Sequence, residues 1–268
     1  MTSEAPAGGR VERAVRVVRG ALFFAIWLPC FIVLFAIVQR LILWPLVTLV
    51  PASRPRVMGA WLRFQGDYCL LLLRTIGGAR ITVRGAIPKV AVVAVMNHQS
   101  VADIPVALSL IRGPGPLFVT RERYKWKIPF ISPVLRMARF PLVTQRPDGI
   151  RKDIAVLQDA ADRCARGENS VLIFPEGHRS RDGSIGPFMR MGPRIILNRA
   201  NRPVYTIVCD GLWGARRFTD ALANLGAVHI TVTLSGPFAP TSDADAFLEQ
   251  LRDRMVATLA ESRAAAAT

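Results

Sequence analysis

Apolar residues are spread along this chain in three distinct patterns, and each predicts a different kind of element. From Ala21 to Val50 they run almost without a break, with Arg40 as the only charge. Trp61 to Leu73 is a second apolar stretch, carrying Arg63 and Asp67 alone, and reads as a helix packed between an N-terminal anchor and a globular part. Gly77-Gly78 then marks a boundary, because paired glycines punctuate regular structure. The chain divides accordingly into a membrane-anchoring helical region, residues 1–78, and a globular domain, residues 79–268.

From Arg80 onward, short β-rich runs alternate with helical patterns. Candidate strands are Ile81–Arg84, Val90–Met96, Leu117–Thr120, Leu142–Thr144, Val171–Phe174, Val204–Cys209 and Val228–Leu234. Between the fourth and fifth, Ile150, Ile154, Leu157, Ala161 and Cys164 recur at helical spacing. Ile104–Ile111 also reads as a helix. Near the end, Ser242 followed by Asp245 resembles a capping box, and Phe247, Leu251, Met255 and Leu259 share one helix face. This alternation predicts an α/β domain in which helices cover a mixed central sheet.

Charge placement bears on the long apolar run. Arg10, Arg13, Arg16 and Arg19 precede it, and Arg54, Arg56 and Arg63 follow. A signal peptide also begins basic and then turns apolar, but this run outlasts a signal core and no small-residue cleavage site closes it. Arginine at both ends holds both ends on the cytosolic side. Two full crossings need about 40 apolar residues at roughly 20 each, and only about 30 are present. Pro29 and Pro45 would also bend a helix here. The expectation is a re-entrant or monotopic helical hairpin resting in one leaflet, with a single span as the alternative. Trp27, Trp44 and Trp61 stand where interfacial anchors would be useful.

Composition supports that picture. Hydrophobic residues make up 51% of 268 and mean hydropathy is +0.31, much of the excess lying in the early run. The net charge of +16 is nearly all arginine, with Lys89, Lys125, Lys127 and Lys152 the only lysines. A basic surface suits nucleic acid and anionic lipid alike; beside a membrane-length segment it points to anionic lipid and away from nucleic acid. Cys30, Cys69, Cys164 and Cys209 form no C-x-x-C pair and predict buried free thiols in a reducing compartment. Arg- and Ala-rich usage hints at a GC-rich bacterial genome. The expected location is a bacterial inner membrane, with the globular domain on the cytoplasmic face.

Two segments carry candidate chemistry. In Asn97-His98-Gln99-Ser100-Val101-Ala102-Asp103, a histidine follows a buried-looking strand, and a carboxylate lies five residues on. Such an Asp can curl back to one ring nitrogen, fixing the tautomer and leaving the other as a base. The plainer reading makes Asp103 a helix cap and His98 a turn residue. In Phe174-Pro175-Glu176-Gly177-His178-Arg179-Ser180, a strand opens into a Pro/Gly-bent loop bearing a carboxylate and a guanidinium. Gly177 permits close backbone approach or positive φ, and Arg179 has a planar fork suited to phosphate oxygens. A surface Glu–Arg pair on a turn is the plainer alternative. Ser100 invites a Ser–His–Asp reading, but no G-x-S-x-G elbow is present. Metal-ligand spacing, a Walker A loop and a dinucleotide fingerprint are absent too, so no metal or cofactor is expected.

Taken together, the two segments resemble those of the glycerolipid acyltransferase family, the PlsC-like lysophosphatidic acid acyltransferases and their relatives, over roughly Val83 to Val208. The resemblance implies that His98 deprotonates the acceptor hydroxyl of a lysophospholipid and that Asp103 orients it. The oxygen then attacks the thioester of acyl-CoA or acyl carrier protein as co-substrate. It also implies that Glu176, Gly177 and Arg179 position the glycerol-phosphate portion and that Arg146, after Phe140-Pro141-Leu142-Val143-Thr144-Gln145, contacts phosphate. Pro203-Val204 matches a later family segment, and Phe188, Arg190 and Gly192 resemble a further phosphate-proximal one. His178 stands where the family commonly has Thr, and Phe140 where it has Gly. The implied acceptor is 1-acyl-sn-glycerol-3-phosphate; lysophosphatidylglycerol, lyso-cardiolipin or an amino-acid lipid are the alternatives. A non-catalytic anionic-lipid binder on the same scaffold would be expected to lose His98, Asp103 or Arg179, and all three are present. The basic, aromatic cluster Arg121, Arg123, Tyr124, Lys125, Trp126 and Lys127 is read as a donor or membrane contact.

Overall fold

A computed structural model describes residues 9–215, 220, 224–241 and 243–267. Helix α1 (Arg10–Leu49) runs through the whole apolar stretch and is long and apolar enough to cross a membrane. Its most apolar window has a mean hydropathy of 2.8 and is only 17% buried in the protein. Neither proline ends it. A π-helical turn, Cys30–Leu34, directly follows Pro29, and another, Gln39–Leu43, precedes Pro45. The wider winding there accommodates the bond and the space that proline denies a regular helix. The chain reverses instead at the 3-10 turn Pro51–Ser53, and α2 (Arg54–Thr75) returns along α1.

The hairpin is therefore made of α1 and α2, and the helix read over Trp61–Leu73 is its second arm. Phe35 of α1 joins the arms, with ring centroids 5.1 Å from Trp61, 5.6 Å from Phe64 and 5.4 Å from Tyr68. The opposite side of α1 leaves Leu22, Val33, Leu34, Ile37, Leu41 and Leu49 exposed. Trp27 and Trp61 are half-buried at the packed side, whereas Trp44 is exposed.

Beyond Gly77-Gly78 the mixed sheet appears as expected, with β1 (Arg80–Arg84), β2 (Val93–Met96), β3 (Pro116–Phe118), β6 (Ser170–Ile173), β7 (Val204–Asp210) and β8 (His229–Phe238) in the order β1-β8-β7-β2-β6-β3. All neighbours are parallel except β7 and β8. β4 (Thr120–Arg121) and β5 (Leu142–Val143) form a separate parallel pair. Central strands β2 and β6 are buried throughout, as parallel strands covered on both faces must be. Alternation then sorts their side chains. Ala94 and Met96 join α2 and α3 (Asp103–Leu110) on one face, while Val93, Val95, Val171 and Ile173 meet α6 (Ile150–Ala165), α7 (Met191–Ala200) and α8 (Ala244–Ala267) on the other. Short helices α4 (Tyr124–Lys127) and α5 (Ser132–Met137) lie between β4 and β5.

Ser242 lies outside the described residues. At the start of α8, the Asp243 carboxylate accepts the backbone N–H groups of Asp245 and Ala246, each at 3.0 Å, and so caps the helix. The four cysteines are free, with Cys69, Cys164 and Cys209 buried and Cys30 half-buried.

One close approach fixes the helix that bears Asp103. A Cβ at Gly66 of α2 would lie 2.7 Å from the Ser109 nitrogen and 2.8 Å from the Pro105 oxygen of α3. Gly66→Ala should push the two helices apart and cost about 1–3 kcal/mol. Thermal unfolding checks this; an unchanged Tm would mean that α2 and α3 can part freely.

Candidate active site

β2 and β6 are adjacent and parallel, with Val93 opposite Val171, so the loops leaving their carboxyl ends emerge side by side. His98 sits on the first loop and Pro175–Arg179 on the second. Three contacts lock the loops together. The His98 backbone N–H donates to Glu176 Oε1 at 2.9 Å, and the Ser180 N–H donates to the His98 carbonyl at 2.6 Å. The rings of His98 and Phe174 stack with centroids 4.3 Å apart.

The histidine and aspartate meet as the sequence suggested. His98 Nδ1 lies 2.8 Å from Asp103 Oδ2. That same oxygen accepts the backbone N–H groups of Gln99 at 2.6 Å and Ser100 at 2.7 Å. An oxygen already taking two N–H donors is an acceptor toward the ring as well, which puts the proton on Nδ1 and leaves Nε2 with a lone pair. Asp103 has no exposed surface, while the His98 side chain is 18% exposed. Burial pushes the Asp103 carboxyl above its usual range, opposed by the bonds from His98, Ser100 and Gln99. Asp103 does not cap α3, whose first residue it is; its carboxylate instead closes the turn before the helix and meets the ring. Ser100 Oγ accepts the Ala102 N–H at 3.3 Å and belongs to that turn.

Glu176 is placed differently from the expectation that it grips a glycerol phosphate. It is 2% exposed. Its Oε1 takes the His98 N–H, and its Oε2 takes the Gly186 N–H at 3.0 Å. Burial raises its carboxyl, opposed by these bonds from Gly186 and His98. The side chain thus ties the histidine loop to the segment around Gly186. Gly177 has φ +70°, a conformation that favours glycine; the nearest atoms to a side chain there belong to exposed, flexible Met189.

The arginines divide. Arg179 and Arg146 are exposed, and among the described residues neither guanidinium has a hydrogen-bond or ion-pair partner. Arg146 follows β5, which is parallel to β4; β4 in turn continues from β3 after one residue, so Arg146 is delivered toward the same edge of the sheet. Its loop is built by Asp153 of α6, whose carboxylate accepts the N–H of Thr144 at 2.7 Å and of Gln145 at 2.9 Å. Gln145 adopts φ +56°, an uncommon conformation for a residue with a side chain. Arg190 is held elsewhere, pairing at 2.8 Å with Glu249 of α8 at the surface.

Several contributors went unread in the sequence. The Asn97 amide exchanges two 2.8 Å bonds with the backbone of Cys209 in β7. Gln99, fully buried, donates to Gly183 O and Asp210 Oδ1 and accepts from the Leu212 N–H. Asp210 is gripped in turn by Arg263 of α8 at 2.8 and 2.9 Å. Their one available signal was position: polar residues at strand ends inside an otherwise apolar core.

Residues 80–210 match the Acyltransferase family model. Over 169 residues the chain is 29% identical to a chloroplastic 1-acyl-sn-glycerol-3-phosphate acyltransferase of Brassica napus, covering 62% of this chain and 46% of that one. Over 153 residues it is 30% identical to the 1-acyl-sn-glycerol-3-phosphate acyltransferase of Pseudomonas aeruginosa, covering 56% of each. The chain thus spans about half the length of these curated relatives. Its fold matches the crystal structure of the 1-acyl-sn-glycerophosphate acyltransferase PlsC from Thermotoga maritima, with a TM-score of 0.66 and 19% identity over 92% of this chain and 97% of that one. Both loops of the site fall inside the span that matches the family model, and the two-helix hairpin precedes that span.

Proposed function

We propose that this protein transfers a fatty acyl group from a thioester to the free hydroxyl of a lysophospholipid, with 1-acyl-sn-glycerol-3-phosphate as the acceptor. The observation that carries the reading is the 2.8 Å contact between His98 Nδ1 and the buried Asp103, which leaves Nε2 available at the carboxyl edge of the sheet. Nε2 takes the proton from the acceptor hydroxyl as its oxygen attacks the thioester carbonyl. The C–S bond then breaks, and the imidazolium returns the proton to the leaving thiolate. Asp103 stabilises that imidazolium, and no covalent acyl-enzyme is required. Acyl-CoA or acyl carrier protein would serve as donor.

Arg179 and Arg146, exposed and without partners among the described residues, would take the acceptor's phosphate. Glu176 and Gly177 act as positioning residues, since the Glu176 carboxylate is fully engaged by backbone. Arg190, paired with Glu249, would need to leave that exposed ion pair to reach a phosphate. The exposed apolar side of α1 would rest in one leaflet, bringing the domain to an acceptor that is itself a bilayer amphiphile.

The deciding measurement is formation of phosphatidic acid by the purified full chain, offered a panel of lysophospholipids with acyl-CoA or acylated carrier protein and read by mass spectrometry. Absence of any acylated product with both donors would overturn the proposal. His98→Ala should lower kcat by about 10²- to 10⁴-fold; turnover within tenfold of the parent would remove His98 as the base. Arg179→Ala should raise the KM for lysophosphatidate about tenfold with a smaller change in kcat, whereas an effect confined to the donor would reassign it. Glu176→Gln places an NH2 group against one of two backbone N–H donors and should cost about 1–3 kcal/mol in urea unfolding. Both KM values should move little in that variant, and a large rise in acceptor KM alone would return Glu176 to direct substrate binding.

A further inference from the structure

A cavity of about 350 Å³ lies at the opposite edge of the sheet from His98. Its walls include Gly115 and Asn169, the residues just before β3 and β6, together with the hairpin turn at Pro51 and Ala52. Three arginines line this one space: Arg54 from the start of α2, Arg139 after α5, and Arg163 from the last turn of α6. Glu168 is the only carboxylate in the lining, and it is paired with Arg166.

Arg54 is the least compensated of the three. Arg54 Nε is buried without a hydrogen-bond partner, and only its Nη2 is engaged, by the Val47 carbonyl at 3.1 Å. Arg163 is 8% exposed. Its Nη2 donates to the Arg139 carbonyl at 2.8 Å; its Nε lies 3.0 Å from Asp159 but lacks hydrogen-bond geometry. Arg139 is exposed and sits at φ +54°, an uncommon conformation for a residue with a side chain. Burial lowers the affinity of Arg54 and Arg163 for their protons; Asp159 and Glu168 oppose this at Arg163, and the charge of Arg139 adds to it at both. Arginine nonetheless stays protonated, so three positive charges, on buried Arg163, half-buried Arg54 and exposed Arg139, line one space.

We infer that this cavity is a second, non-catalytic site that binds the phosphate of an anionic phospholipid head group and so docks the hairpin turn on the membrane. The chemistry of the walls calls for an anion with several oxygens, as guanidinium forks do. A lipid source is favoured over free phosphate by what adjoins the mouth: Leu46, Leu49 and Val50 are exposed immediately before Pro51, where they would meet acyl chains beside a bound head group. The volume also exceeds what a lone phosphate needs and falls within the range of small-molecule sites. The inference shares with the proposed function only the placement of α1 in a leaflet, and it does not depend on acyl transfer.

The test uses the purified full chain in a non-ionic detergent. Its melting temperature is followed on addition of dihexanoyl-phosphatidylglycerol, dihexanoyl-phosphatidylcholine, inorganic phosphate or adenosine 3′,5′-bisphosphate. Arg139→Gly removes one guanidinium while suiting the positive φ, and Arg54→Gln is a second, independent variant. The parent should be stabilised by phosphatidylglycerol far more than by the other three. Each variant should bind phosphatidylglycerol about fivefold more weakly, the effect of one arginine near an anionic lipid. Without lipid, Arg139→Gly should melt no lower than the parent, because a repulsive charge has gone. Equal stabilisation by inorganic phosphate would make this a free-anion site and overturn the lipid assignment. Stabilisation by the bisphosphate alone would give the cavity to a nucleotide-bearing ligand. An undiminished lipid response in both variants would end the proposal. Co-flotation with phosphatidylcholine vesicles, scored separately, reports whether α1 associates with a bilayer at all, so the two failures are distinguishable.

Discussion

A carboxylate with no exposed surface is the constraint around which the site is organised. Taking Asp103 out of water costs several kcal/mol. What offsets this is a turn that aims two backbone N–H groups and one imidazole N–H at the same oxygen, at roughly 1.5–3 kcal/mol for each bond to a charged group. The balance is close, and burial still holds the carboxyl above its ordinary range. Neither partner can be moved alone. If the turn opens, Asp103 loses its donors; if α3 shifts, the ring loses its orientation.

The rest of the sheet edge keeps that turn from opening. Asn97 ties it to β7, Gln99 ties it to Asp210 and the Gly183 backbone, and Glu176 joins it to the loop after β6. Each of these side chains is buried and polar, and each spends its hydrogen-bonding groups on backbone or on another fixed side chain. In a low-dielectric setting such bonds are stiff, and leaving one unmade is costly. The network therefore acts as scaffolding for a single imidazole, while the groups suited to an anionic ligand, Arg179 and Arg146, stay outside it.

Much of this was legible because strong local rules agreed. Buried parallel strands read as continuous Val-, Ile- and Leu-rich runs, and all seven candidates correspond to strands, with ends that coincide or shift by up to four residues. The His98–Asp103 pair was readable because a five-residue separation across a strand-to-helix turn leaves few other geometries. Glu176 was legible as a site residue but not in its contacts, because only the folded chain shows that its oxygens meet the His98 and Gly186 N–H groups. The hairpin turn was displaced from the prolines because π-helical turns absorb them, a winding that composition does not announce. Asp153 and Arg263 act across sequence separations of 8 to 80 residues, beyond any local pattern.

The two edges of the sheet carry opposite electrostatic arrangements. At the carboxyl edge, the buried carboxylates of Asp103 and Glu176 take backbone donors, and Arg179 and Arg146 are exposed. At the amino edge, three arginines line one cavity, with Asp159 paired to Arg163 and the Arg54 Nε left without an acceptor. Parallel topology is what separates these environments, since β2, β6 and β3 all point the same way. The hairpin bridges them, because α2 packs against α3 through Gly66 and opens the cavity with Arg54. A domain held against a bilayer by α1 alone could roll about that helix's long axis. An anion gripped at the turn would restrict that roll, and with it the angle at which the His98 edge meets the lipid surface.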